Sequence, residues 1–484
     1  MVEQSRNKIS SSCDGRVKKN TYFIGFSQLV QLGLGFLLFL VVARQVGDEG
    51  LGVYTFATVM FYFIFLFDDF GIATYLTREV SRNREGVGTY FVNSLVLKGI
   101  LILVSVVFLW IYLVLFPVSH MKMWVVTLFG VYGLFFSFNQ LCYATYRAFE
   151  KMEYEMSVQI IEKILIVGLG IFALYHGYGL VTLAAIYGGV SLISLSINLF
   201  WTKRQFLHQK AFVDFTLLKT ILKGSILLGI FMFLAQAHAR LDVLMLSAMK
   251  NDQVVGWYAA PFKLILVLEV IPTILVTSTF PRMARVFKES REQLVRVYTI
   301  GMKYLTYFIL PMIVGTLFLS DQIIFMLVGE AYVKSITPLR ILIFAGGFNF
   351  LNIFLGGVLM ASNHHKDLVI LQISAVTLNV TLNAILIPGY GHNGAAIATL
   401  VSYGLVLIVA GILVSAKVCK LQGKRFLFKT VLATLVMALF LYWFQLALVP
   451  AITMAVLVYG LMLFLFKGIV WEEILLIRKP GEFS

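Results

Sequence analysis

The stretch FIGFSQLVQLGLGFLLFLVVA, residues 23–43, carries no charge and does not alternate in polarity. As a helix a run of that length rises about 30 Å, the thickness of a bilayer's hydrocarbon core. In lipid every backbone N–H and C=O must be satisfied within the segment, which leaves helices or a closed barrel. Barrel strands would show about ten residues of alternating polarity, and these blocks do not. Similar blocks recur along the chain. Of its 484 residues 60% are hydrophobic and 13% charged, where soluble domains hold about half and a quarter. The sequence therefore predicts an all-α polytopic membrane protein.

Fourteen transmembrane helices are predicted, over 21–42, 52–77, 91–116, 121–146, 157–176, 178–200, 218–247, 254–280, 297–319, 338–361, 368–388, 394–416, 428–447 and 449–468. An even number puts both termini on one side. The N-terminal tail and the loops after even-numbered spans hold most of the Lys and Arg, among them Arg78, Arg82, Arg84, Arg147, Lys151, Lys203, Arg204, Lys210, Arg282, Arg285, Lys417 and Lys424. The loops after odd-numbered spans hold Arg44, Lys122, Lys250, Lys334 and Arg340. Positive loops stay cytoplasmic, so both termini are expected in the cytoplasm.

The formal net charge of +15 lies in these short loops. It reads as an orientation signal and as contacts to anionic membrane lipids, not as a nucleic-acid surface. Cys13, Cys142 and Cys419 show no metal-type or paired spacing, so no metal site is expected. No short apolar region with a small-residue cleavage site precedes the first span, and a cleaved signal peptide is not expected. The loops leave no room for a soluble catalytic domain, so no catalytic residue is assigned and an enzyme is not expected.

Two segments repeat. HGYGLVTLAAIYGG from His176 is echoed by PGYGHNGAAIATLVSYG from Pro388, and LGVYTFA (51–57) by VGWYAAP (255–261). Each begins a span in its half, in register. Spans one to six thus correspond to spans seven to twelve with the same topology, predicting two six-helix lobes related by a pseudo-twofold along the membrane normal. The chain divides into a cytoplasmic tail (1–20), an N-lobe (21–210), a C-lobe (211–416), and two C-terminal helices with a cytoplasmic tail (417–484).

The region VVARQVGDEGLGVYTFATVMFYFIFLFDDFGIATYLTREVSR (41–82) resembles the N-terminal part of polysaccharide-biosynthesis flippases of the MATE-like transporter superfamily. Ala43, Arg44, Gly47, Gly52 and Tyr54 match that family's pattern, with Val46 in place of its Leu and Leu51 in place of its aromatic residue. RLDVLMLSAMKNDQVVGWYAAPFKL (240–264) and GVLMASNHHKDL with the following LNAILIPGYGHNGAAIATLVSYG are similar to later family segments. The resemblance implies a two-lobed, V-shaped transporter in the bacterial cytoplasmic (inner) membrane. Its cargo would be an undecaprenyl-pyrophosphate-linked oligosaccharide, an O-antigen or exopolysaccharide repeat unit, moved outward by alternating access. A polysaccharide polymerase or chain-length regulator is a partner that the resemblance admits. Lipid II flippases and MATE-type drug antiporters share the fold and stand as alternatives.

Flipping needs cations for the phosphates and polar or aromatic surface for the sugars. Embedded charges are costly and usually face a cavity or a partner. The basic candidates for a cationic cavity are Lys98, Lys163, Arg240 and Lys263. Asp68, Asp69, Asp242 and Glu269 are candidates for coupling to H+ or Na+, and Glu162 is a further embedded acid. Counted along the helices, Asp68, Asp69 and Lys98 share one depth, and Arg240 and Lys263 another. The bland readings stay open: Lys163 near a span end can snorkel, Arg240 can pair with a carboxylate, and His238 can serve Asp242 structurally. Asn139, Gln140, Asn349, Asn352, Asn379 and Asn383 suit interhelical hydrogen bonds as well as sugar contacts. No phosphate-cradling Gly loop is present, so neither ATP nor another cofactor is expected. A pump for cationic drugs would concentrate acids in its lobes, whereas this chain has bases in both.

Overall fold

The computed structural model describes residues 2–115, 118–207, 211–422 and 425–468. Lys210, Lys424 and the tail beyond residue 468 lie outside the described residues. The chain is helical, with no strand among the described residues. Among the described residues, eleven stretches are long and apolar enough to cross a membrane.

The chain separates into two compact units, residues 1–240 and 241–484. The first contains α1 (Val2–Asp69), α2 (Ile72–Arg82), α3 (Val87–Leu115), α4 (His120–Ala148), α5 (Met152–Tyr175), α6 (Gly179–Gln205) and most of α7 (Phe215–Met249). The second holds the end of α7 with α8 (Asp252–Leu268), α9 (Val270–Glu289), α10 (Arg291–Leu327), α11 (Ile336–Ala361), α12 (His365–Lys417), α13 (Arg425–Trp443) and α14 (Leu448–Leu465).

Element boundaries depart from the predicted spans where glycine or a break intervenes. The loop expected over 43–51 is absent as a loop: helix runs up to Gly47, whose φ of 70° and ψ of −173° turn the chain before helix resumes. Gly391 divides α12 in the same way, with φ 54° and ψ −129°. Side chains rarely adopt such angles, which suits glycine to both positions. The predicted second span is interrupted at Phe70 and Gly71, both with positive φ, so α2 is a separate element. The predicted eighth span is likewise two helices, α8 and α9, meeting at Glu269.

Within the first unit α4 and α6 pack along their length, as do α1 and α5. Buried polar groups bridge these helices: Asn198 Nδ2 donates to Asn139 Oδ1 at 2.7 Å, and the Tyr146 hydroxyl donates to the Asn198 carbonyl at 3.1 Å. In lipid such bonds replace the hydrophobic drive that is lost between apolar helices. In the second unit α13 and α14 pack on α10. The Tyr459 hydroxyl donates to the Tyr307 carbonyl at 2.7 Å, and the Tyr307 hydroxyl to the Gly468 carbonyl at 2.9 Å.

Candidate functional site

The first unit contains a polar cavity of about 530 Å³ between α1, α4 and α5. That volume lies within the roughly 300–1,000 Å³ of small-molecule sites. One wall is a continuous polar ladder. Arg147, at the end of α4, forms an ion pair with Glu155 of α5, its Nε donating to Oε2 at 2.8 Å. Gln159 Nε2 donates to Glu155 Oε1 at 3.0 Å. Gln31 Nε2 of α1 reaches Gln159 Oε1 at 2.9 Å and Ser27 Oγ at 3.0 Å. The ladder follows from helical spacing, since Gln159 stands four residues from Glu155 and three and four from Glu162 and Lys163, which brings them to one side of α5. The opposite wall is aromatic, with Phe61 and Tyr132 ring centroids 4.7 Å apart.

Glu162 also lines the cavity; it is 8% exposed, and its Oε1 has no hydrogen-bond partner. Lys163 lines it too, with Nζ against Gly35 of α1, 3.3 Å from where a Cβ would stand there. Lys163 is thus held at the cavity wall, not extended past a helix end.

Arg240 lies beside this region. Its guanidinium stacks on the ring of Tyr62, a cavity residue, 3.7 Å from the centroid, while Nε donates to Gln236 Oε1 at 3.0 Å. Arg240 therefore falls in the first unit and Lys263 in the second, although the sequence places both in the C-lobe.

The expected cavity role of Lys98 gives way to an internal ion pair. Lys98 is wholly buried; its Nζ lies 2.8 Å from Asp69 Oδ1 and donates to the Ser137 carbonyl at 2.8 Å. An ammonium so enclosed is neutralised within the unit and has no face left for a ligand. Asp68, next in the chain and also wholly buried, differs: neither carboxylate oxygen has a hydrogen-bond partner.

The second unit gathers its polar groups around Asp242, 2% exposed. Asp242 Oδ2 accepts from the Tyr258 hydroxyl at 2.6 Å and the Thr399 hydroxyl at 2.7 Å, and Oδ1 accepts from Asn383 Nδ2 at 2.7 Å. Asn383 Nδ2 also reaches Asn379 Oδ1 at 3.0 Å. Glu269, at the α8–α9 junction, accepts from Asn349 Nδ2 at 2.7 Å. Lys263 is half-buried on α8. No cluster of three His, Cys, Asp or Glu able to hold a metal ion occurs among the described residues.

A family model described as polysaccharide biosynthesis protein matches residues 17–287, more than half of the chain. The chain belongs to the polysaccharide biosynthesis protein family. The match spans the whole cavity, Arg240, Asp242 and Tyr258. A relative from Shigella flexneri, named "Putative O-antigen transporter", is 24% identical over 75% of this chain and 88% of its own length. Another, "Probable low-salt glycan biosynthesis flippase Agl15" of Haloferax volcanii, is 24% identical over 77% and 78%. Among solved structures, the lipid II flippase MurJ in an inward closed conformation superposes with a TM-score of 0.78 at 16% identity, covering 92% of this chain and 98% of that one. An inward-facing MATE-family multidrug resistance transporter gives 0.63 at 16% identity, covering 80% and 95%. These two likenesses show that the polysaccharide biosynthesis fold is shared with both transporters.

Sequence reasoning passed over several cavity residues of this family member. Arg147 reads as an ordinary positive loop residue, and only the fold turns it onto Glu155. Gln28, Gln31 and Gln159 lie in apolar runs, and such isolated amides were the signal available. Asp69 and Lys98 share a depth by residue count, but that count did not pair them.

Proposed function

We propose that this chain is a flippase that carries a lipid-linked oligosaccharide, an O-antigen or exopolysaccharide repeat unit on undecaprenyl pyrophosphate, across the bacterial cytoplasmic membrane by alternating access. The family match over residues 17–287 carries this reading. The named relatives, an O-antigen transporter and a glycan flippase, support the cargo class. The chain acts as a transporter and not as an enzyme; no covalent bond changes in the cargo.

Fourteen crossings accommodate the helices. Eleven stretches qualify by length and composition. Gly25–Asp69 and His365–Lys417, of 45 and 53 residues, are each too long for one crossing. Dividing them at Gly47 and Gly391 adds two, and α7 adds one. This count and the Lys/Arg distribution support a topology with both termini in the cytoplasm. The two lobes are related as repeats, and one matched detail supports this: the Tyr54 and Tyr187 hydroxyls lie 3.0 Å apart, and the hydroxyls of Tyr258 and Thr399 lie 3.2 Å apart. Tyr54 aligns with Tyr258 at the offset of 204, and Tyr187 with Thr399 at the offset of 212 between the Gly-Tyr-Gly turns.

Arg240 and Lys263 supply cations for the pyrophosphate, Arg as a bidentate fork and Lys as a point charge. Coupling to H+ or Na+ draws on Asp68, Asp69, Asp242 and Glu269. Among these Asp69 is neutralised by Lys98. Asp68 has no partner and suits a proton; Asp242 is met by neutral donors, so a cation or proton would balance its charge.

The test uses cells lacking the chain. They should lose surface glycan and accumulate the lipid-linked oligosaccharide on the inner leaflet, and the restored gene should reverse both. Normal surface glycan together with lost drug resistance would favour the small-molecule antiporter instead. Arg240→Ala should abolish export at normal protein levels, and Arg240→Lys should retain part of it.

A further inference from the structure

We infer that the cavity of the first unit binds the sugar part of the cargo and not its pyrophosphate. This rests on the flippase reading above and assigns that site a ligand.

Charge decides between the two moieties. The cavity wall carries two cations, Arg147 and Lys163, and two carboxylates, Glu155 and Glu162. Its formal charge is zero. Arg147 is already paired with Glu155 through Nε and Nη2, so most of its charge is offset within the wall. A pyrophosphate placed here would meet the Glu162 carboxylate, which lines the wall beside Lys163. A like charge there repels, and an anion offers the carboxylate no hydrogen-bond donor.

A sugar ring meets each requirement. Its hydroxyls donate to the Glu162 carboxylate at the wall and accept from the Lys163 ammonium. Its apolar C–H face fits the aromatic wall of Phe61 and Tyr132. The amides of Gln28 and Gln140 offer both donors and acceptors. Gln31 and Gln159 are committed to the ladder and hold α1 to α5, so they position the site.

The experiment compares two probes on the purified full-length chain in lipid nanodiscs. One is a polyprenyl pyrophosphate without sugar. The other is the lipid-linked oligosaccharide extracted from membranes of cells that lack this chain. The wild-type protein should bind the glycosylated lipid more tightly. Glu162→Gln should weaken that binding by about tenfold, the loss expected of one charge-assisted hydrogen bond, and leave the sugar-free lipid unchanged. Met156→Trp, which fills the cavity from α5, should remove the advantage of the glycosylated lipid. It also decides the matter if the Glu162 variant does not fold. Equal loss for both probes would place the pyrophosphate or a purely structural role at Glu162. No loss in either variant would remove the sugar from the cavity. Either result overturns the inference while the flippase reading stands. A wild-type protein that binds neither probe would overturn both.

Discussion

Tyr54 and Tyr258 occupy matching places in the two halves of the sequence and have different surroundings. Tyr54 is buried among aromatic rings, 5.9 Å from Phe129, and its hydroxyl meets that of Tyr187. Tyr258 donates instead to a buried carboxylate, Asp242. The offset of 204 places Leu38, which is wholly buried, opposite Asp242. One half thus fills this position with packing, and the other with a charge ringed by donors. The polarity of the first half lies elsewhere, in the cavity lined by Glu155 and Glu162. A repeat that diverges in charge while keeping its tyrosine marks where the two copies have taken different work.

The largest effect should come from the ion pair of the first unit. Lys98→Met leaves Asp69 buried without its cation, and breaking such a pair costs ~3–5 kcal/mol. The protein should be lost from membranes or melt far earlier in detergent. Replacing both partners, Lys98→Met with Asp69→Leu, should recover most of that stability, because two well-packed apolar groups avoid the desolvation of both charges. If the double variant is as unstable as the single one, the pair is tied into a wider network.

The span pattern was legible because apolar length and loop charge are local properties. The common depth of Asp69 and Lys98 was legible too, since depth follows from residue count, but their pairing was not. Which of the adjacent acids pairs was not legible: Asp68 and Asp69 differ by about 100° of helix rotation, and only packing chooses Asp69. The breaks at Phe70 and Glu269 were hidden for a related reason, because both lie inside apolar runs whose composition continues across them. The cavity draws residues from Ser27 to Ile166 on three helices; no spacing within one helix reveals it. Arg147 was hidden by its position, since a basic residue at a span end already has an explanation.

An intermediate effect should separate the two tyrosines. Tyr258→Phe removes a donor from a buried carboxylate, and hydrogen bonds to charged groups are worth about 1.5–3 kcal/mol. Tyr54→Phe removes one neutral partner from a hydroxyl pair, about 1 kcal/mol. Thermal melting of both variants in the same detergent should therefore rank Tyr258→Phe as the more destabilised. Equal shifts would mean that Asp242 does not carry a charge in the folded protein, and the contrast between the halves would lose its electrostatic basis.

The smallest effect concerns the join between the cavity and Arg240. The guanidinium lies over the face of Tyr62, whose side is 36% exposed. Such a contact contributes about 0.5–1 kcal/mol at an exposed site. Tyr62→Leu should then lower export only a few-fold, about two to five, without changing the amount of protein. Tyr62→Phe keeps the ring face and should export nearly as well as wild type. The pair of variants distinguishes stacking from hydrogen bonding, because the phenylalanine loses the hydroxyl alone. Were Tyr62→Phe as impaired as Tyr62→Leu, the hydroxyl and not the face would be the functional part. Tyr62 would then belong with the sugar-facing groups of the cavity, and Arg240 would be held chiefly by Gln236.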